Sequence, residues 1–599
     1  MKKTKKKSGN TLTIVLVLVI VAVIAAAFFG IRALLPEKGP SNDKAKNSSP
    51  DVLTLDEKEI VDVTGITGTE TDKKGIIDKE GHRIFDTGYK NDNGFTIYTT
   101  GKKDANGNIL YTLNKTDDVG KLIYYTGKIE NGKLKLTKSN NIPDYSSNKN
   151  SKLTNGSRYT TTKTIGYKAD KNEKTAKSIS NKFMTYSGGS NEDTFTKIIA
   201  VDKGYIAVGN SNSKNGIYSK AGSWKDFFGS ISKIGTDGKV EWTYVTGGNG
   251  LIVFNDVTEL KDGSIVAVGS TTATDTNAPR TGLGSSTLIV KLDKKGNEVW
   301  SYSFPCSENE NGDSAQSVAA TPDGGFVVGG EAESTTGFFK EAEGQYKAYI
   351  FKFDKKGDIE WKKILSGSKD NTVSALAVNE KGDIFATCVT YSYDGNFGFL
   401  SEYKVSNNTP NTVVLKLNKK GDLTWSEYLA GWGRSEFDSI AVTPDGGCVI
   451  GGTMSISKRA NGSFSQCYGS TDGYVVRYSD DGKVYWARNI GGTEADSVKD
   501  LIYTDKGIVV VGTTNSSNFD FAGLIAPGGR DGFVSVLNNS GTLMFSNLIG
   551  GKSGDNVNSV CPSDTGVVIA GYTTSSDGIF KNSKAGNKAE AFAASYDFS

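Results

Sequence analysis

One histidine, His82, serves the entire chain of 599 residues, and it stands beside a turn well ahead of the repeated region. Histidine acid–base chemistry, Ser-His-Asp triads and histidine-held metals are thereby excluded from that region. Cysteine is scarce as well. The five thiols (Cys306, Cys388, Cys448, Cys467 and Cys561) fall at unrelated places in the repeat, which argues against a disulfide framework. No Cys-x-x-Cys metal pattern occurs, and a Cys448–Cys467 pairing stays open. No Walker-type phosphate loop is present; the abundant glycine marks turns and strand ends. The net charge is +3, from 70 basic and 67 acidic residues, and five of the lysines open the chain. Without those five the balance is 65 to 67, which gives no electrostatic case for a nucleic-acid partner.

What the chain does have is a repeat. Asp438 to Gly492 reads as four strand-length runs, with turn signals at Pro444-Asp445-Gly446-Gly447 and Asp480-Asp481-Gly482. The fourth run of each copy carries an aromatic residue: Phe183, Trp242, Trp300, Trp361, Trp425, Trp486 and Phe545. Their spacings are 59, 58, 61, 64, 61 and 59 residues. The second run of each copy is continuously apolar and ends in glycine, except that Ile384–Cys388 ends in cysteine. Continuous apolarity is expected of a strand covered on both faces by neighbouring sheets. The chain ends on a third run with no fourth behind it, and the first copy opens on an orphan fourth run, Ile179–Ser187. The counts balance if the orphan completes the terminal sheet. The expected fold is therefore all-β: a seven-bladed β-propeller over residues 176–599, closed by an N-terminal strand.

The pattern of Gly-Gly, Thr-Pro-Asp-Gly-Gly, apolar-Gly and Lys-Leu-Asp-Lys-Lys-Gly resembles the bacterial and archaeal secreted propeller repeats of surface proteins and lipoproteins. Leu292–Trp300 (LDKKGNEVW) is also similar to the tryptophan-docking repeat of quinoprotein and outer-membrane-assembly propellers. The resemblance implies a fold and leaves function open, because propellers host unrelated activities.

Ahead of the repeats, residues 1–35 join five lysines to an apolar run, Leu12–Ile31. Twenty residues at helical rise span about 30 Å, the thickness of a hydrocarbon core. The lysines hold that end in the cytoplasm. The expected localisation is the cell membrane, single-pass, with the propeller extracellular and an uncleaved signal anchor favoured over a cleaved signal peptide. Residues 36–50 read as a flexible tether, 51–138 as a small β-rich domain, and 139–175 as a linker with a lead-in strand.

Candidate functional residues follow from geometry. In an antiparallel blade, the first–second and third–fourth turns share one face, while the remaining connections share the other. The turns are short and alike; the second–third loops are long, different in every copy and rich in aromatics. Trp224, Phe227, Phe228, Phe338, Phe339, Tyr346, Tyr391, Tyr393, Phe397, Tyr468, Phe519 and Phe521 lie in or beside them. Trp432 and Arg434, in an atypical connection on the same face, complete the candidate ligand-binding set. The expected partner is an envelope protein or cell-wall polymer, with no cofactor. The alternative is a carboxylate-based glycosidase or lyase on the same face, although no carboxylate pair stands out. Glu308, Glu310 and Asp313 form an acidic loop that breaks the repeat, which makes them candidate Ca²⁺ ligands. Asp193, Asp256, Asp313, Asp370, Asp438, Asp496 and Asp555 each follow a fourth run and are expected to cap their own turns.

Overall fold

The computed structural model describes strands between Glu59 and Ser139, then Tyr167, then residues 175–599 apart from several loop segments. The apolar run Leu12–Ile31 and the tether lie outside the described residues, among which no helix is long and apolar enough to cross a membrane.

The strands between Glu59 and Ser139 make one seven-stranded sheet. Ile76–Ile77, Arg83–Lys90, Thr96–Lys103, Ile109–Thr116, Leu122–Glu130 and Lys133–Ser139 follow one another across it, and Glu59–Asp62 pairs with the last. Ile97, Leu110, Tyr111, Tyr124 and Leu136 are buried. It is a longer meander than the four-strand repeat unit.

The rest is a β-propeller of seven four-stranded antiparallel sheets, here numbered in chain order. The innermost strands are Asp193–Val201, Ile252–Glu259, Asp313–Ala320, Asn371–Val378, Ser435–Val442, Asp496–Thr504 and Asp555–Pro562, and each neighbours the next. The seventh also neighbours the first: Asn558 Nδ2 donates to the Phe195 carbonyl (2.8 Å), and the Ile198 N–H donates to Ser559 Oγ (3.2 Å). Ile179–Ser187 pairs with the C-terminal strand Glu590–Phe598 and completes the seventh sheet. The second and third strands are almost wholly buried, as their continuous apolarity predicts.

Every innermost strand carries a β-bulge at the same place. Thr196, Asn255, Gln316, Ser374, Asp438, Lys499 and Asn558 are the extra residues, skipped by the pairing. The bulge presses the inner backbone onto the second strand, and this explains the glycine ending most second runs. A Cβ at Gly269 or Gly512 would collide with the carbonyl of Val253 or Ser497. Bulge side chains then bond to the next sheet. Thr196 Oγ1 donates to the Phe254 carbonyl (2.7 Å), Asn255 Nδ2 to Ala315 (2.8 Å) and Ser374 Oγ to Phe437 (2.7 Å).

The outer strands join by a second device. Trp242, Trp300, Trp361, Trp425 and Trp486 each lie against the turn glycine of the following sheet: Gly296, Gly357, Gly421, Gly482 and Gly541. Those glycines have φ between +80° and +99°, and a Cβ on any of them would come within 2.6–3.0 Å of the indole. Three indole N–H groups donate to backbone carbonyls of the same turns, as with Trp486 to Asn539 at 2.8 Å. Opposite each indole on the third strand is a buried cation: Lys233, Lys291, Lys352, Lys416 or Arg477. Phe183 docks on Gly238 in the same way and continues the series across the joint between the seventh sheet and the first.

Two expectations need correction. Asp193, Asp313, Asp496 and Asp555 do cap: each is buried at the head of an inner strand and accepts bonds from nearby backbone N–H and hydroxyl groups. Asp256 and Asp438 sit further along their strands, beside and at the bulge, and Asp256 accepts from the Ser317 hydroxyl and the Val318 N–H of the next sheet. Asp370 precedes the equivalent position, which Asn371 fills with a bond from Thr390 Oγ1 at 2.6 Å. Cys448 is a buried free thiol, as are Cys388 and Cys561, so the Cys448–Cys467 pairing does not form.

Candidate binding face

The tight turns lie on one face of the propeller and the long connections on the other. Tyr167 packs on the turn face, against Tyr485 and Tyr503 beside the buried Arg477. Its ring centroid is 3.8 Å from the guanidinium carbon. Further on, the Ala176 N–H donates to the Lys506 carbonyl in the sixth sheet's inner turn (3.1 Å). At Tyr167 and at Ala176 the chain thus lies on the turn face.

On the loop face, most second–third connections contain one short 3₁₀ turn that plugs an aromatic ring into the sheet below. Tyr218, Phe339, Phe397, Phe521 and Phe580 are these plugs, all fully buried. Of the candidate ligand-binding residues, Phe339, Phe397 and Phe521 are thus core residues. Phe228, under Trp224 and Tyr218, is another. Their apolar surface is already used within the protein. Trp224, Phe227, Phe338, Tyr346, Tyr391, Tyr393 and Arg434 are half-buried, and Tyr468 and Phe519 are exposed. Trp432, Glu308 and Glu310 lie outside the described residues. Asp313 is occupied as a cap: the Glu333 and Ser334 N–H groups and the Ser334 hydroxyl donate to it. Among the described residues no three metal-ligating side chains gather.

A charged cluster is drawn from the loop-side ends of strands in the third to sixth sheets. It includes Glu331, Asp370, Glu436, Asp438, Arg434 and Lys499. Burial, reinforced by the charge of Asp370, pushes the Glu331 carboxyl up to about 7. Burial also raises Glu436, although Arg434 Nη2 donates to its carboxylate at 2.7 Å and opposes the rise. The Asp438 carboxyl is raised by the desolvation its surroundings impose, with Lys499 and Arg434 opposing. Lys499 is lowered by burial, which its carboxylate neighbours only partly offset. Tyr346 and Tyr391, both in the candidate set, flank the cluster: the nearby charges acting on them are Glu333, Glu331, Asp370 and Asp313 for Tyr346, and Glu436, Arg434 and Asp370 for Tyr391. Deeper in, Lys197 Nζ meets Asp500 at 2.8 Å. There the carboxylates of Asp500 and Asp256 overcome the effect of burial and raise the lysine pKa.

Sequence reasoning missed Glu331, Glu436 and Lys499, and took Asp438 for a turn cap. A signal existed for Glu331: a charged residue at the end of the apolar second run, where the other copies have a neutral residue.

The second feature bridges the fifth and sixth sheets. Tyr468 and Phe519 stack face to face, with centroids 4.1 Å apart and planes 5° from parallel. They remain 37% and 55% exposed. Phe519 has φ +50°, and the matching residues of other loops are the glycines Gly216, Gly395 and Gly578, at φ +64°, +55° and +58°. A side chain in this left-handed region costs about 1–2 kcal/mol. Beside the pair lies a groove of about 210 Å³ lined by Tyr468, Trp486, Arg488, Asn489 and Ser540.

No family model matches the chain. The regulatory protein FlaEY of Caulobacter vibrioides is 23% identical over 166 residues, covering 26% of this chain and 17% of that protein, so the match spans less than a fifth of the relative. Among solved structures, a protein of unknown function from Bacteroides caccae is 14% identical, with 63% of this chain and 100% of the other covered at a TM-score of 0.32. BamB from Moraxella catarrhalis is 13% identical, with 70% and 100% covered at 0.34. The WD40 domain of Neurospora crassa Pan2 is 11% identical, with 68% and 97% covered at 0.35.

Proposed function

We propose that this chain is a seven-bladed β-propeller of the secreted surface-protein kind, anchored in the cell membrane by Leu12–Ile31 and acting outside the cell as a binding or scaffold module. Its loop face takes an envelope protein or a cell-wall polymer. The observation that carries this reading is the division of labour between the faces. The turn face receives the incoming chain at Tyr167 and Ala176. The opposite face carries the irregular loops, half-buried aromatics and a charged cluster, and recognition sites favour variable loops on a rigid scaffold. The alternative reading is a carboxylate-based glycosidase or lyase on the same face.

The test is capture of envelope fractions by the full-length chain in detergent, native against a Trp432→Ala/Arg434→Ala double variant. Native capture, with loss in the double variant at unchanged thermal stability, is expected. Equal capture by both would overturn the loop-face assignment. Protease shaving of intact cells should remove the propeller; its protection in intact cells would overturn the extracellular placement.

A further inference from the structure

We infer that the Tyr468–Phe519 pair is a saccharide-binding platform, the point at which the loop face holds a neutral glycan chain. This deepens the preceding proposal and rests on it. Three observations converge. The rings come from loops of two different sheets and are fixed independently: the Tyr468 and Gly469 N–H groups donate to Asp472 (2.7 and 3.1 Å). On the other side, Asp520 accepts from Arg488 Nη2 (2.7 Å) and from the Gly491 N–H (3.2 Å). Phe519 next holds a backbone conformation that the sister loops assign to glycine, so its phenyl ring is placed there against local preference. The ring also stays more than half exposed, its packing coming from the one face laid on Tyr468. A strained phenyl is a costly way to gain so little burial.

The ligand class follows from the chemistry around the pair. Arg488 and Asp520 neutralise each other, so the platform offers neither an anion nor a cation site. What remains is a flat π-face at the loop-face end of a polar groove, with Asn489 on its wall and Ser540, in the sixth sheet's third–fourth turn, at its far end. A pyranose ring matches that combination: weakly positive C–H groups on one face settle on the negative π-face, while rim hydroxyls bond to polar walls. Trp486 at the groove floor supplies an intrinsic reporter.

The experiment titrates the full-length chain with chitohexaose, cellohexaose and laminarihexaose, following heat and tryptophan fluorescence. At least one hexaose is expected to bind. Phe519→Gly should weaken that binding tenfold or more while leaving Tm equal to or above native, because glycine relieves the backbone. Tyr468→Ala should weaken it comparably. Failure of all three hexaoses to bind, or unchanged binding by Phe519→Gly, overturns the platform. So does a clear drop in Tm for Phe519→Gly, which would make the phenyl a structural residue. Envelope capture separates the two proposals: loss in the Trp432→Ala/Arg434→Ala variant with full retention in Phe519→Gly overturns the platform alone, and retention in both overturns the loop-face reading too.

Discussion

The two faces of the propeller are built from the same sheets and obey different rules. On the turn face, five of the seven joints between sheets share one arrangement: an indole on a positive-φ glycine, with a buried cation opposite. A change there breaks a joint between sheets. On the loop face, the shared part shrinks to an aspartate cap and an aromatic plug, and everything outside them differs from sheet to sheet. Repetition thus identifies residues that solve the packing problem, and departures from it identify residues relieved of that duty. Phe519 in a glycine position and Glu331 at the end of an apolar run are departures of this kind.

The contrast is sharpest at Trp486. Trp486→Ala should cost about 3–5 kcal/mol, read by urea denaturation, because the indole is buried against Gly541 and bonds the Asn539 carbonyl. A loss under about 1 kcal/mol would mean that the turn-face joints are not what holds the ring.

Glu331→Gln tests the opposite face. The native carboxyl titrates near 7 while the unfolded chain titrates near the ordinary glutamate value, so the folded state binds the proton more tightly. Native stability should therefore fall as pH rises from about 4.5 to about 7 and stay level above. The glutamine variant should lose that slope and exceed the native protein at pH 8 by on the order of 1–3 kcal/mol. Parallel stability profiles for the two proteins would show that Glu331 is not held neutral.

Smaller effects are expected at the edges of the comparison. Tyr167→Ala removes the ring over Arg477 and should cost about 1 kcal/mol. It should also speed protease cleavage ahead of residue 176 without altering capture of envelope material. Arg434→Ala should shift stability by about 0.5 kcal/mol or less; capture, not Tm, should register it.

Much of the architecture was legible because it repeats. The turn signals, the apolar second runs, the aromatic fourth runs and the orphan Ile179–Ser187 each follow from a local rule, and the orphan pairs with Glu590–Phe598 as the strand count requires. The charged cluster was not legible. The bulge inserts one residue into each inner strand and shifts the alternation, and the connections before those strands differ in length. Counting forward from the fourth run therefore placed Asp256 and Asp438 at a cap position that Ile252 and Ser435 occupy. The plugs misled in another way: an aromatic in a long loop reads as exposed, yet the 3₁₀ turn drives Phe397 and Phe521 into the core.

The pinning of the incoming chain has a mechanical consequence. A pull from the N-terminal side meets the Tyr167–Arg477 clamp and the Ala176–Lys506 bond before it reaches Ile179–Ser187, the strand on which closure depends. The clamp works as a strain relief on a cable: a pull on the segment ahead of Tyr167 loads a replaceable contact first and spares the strand that keeps the ring shut.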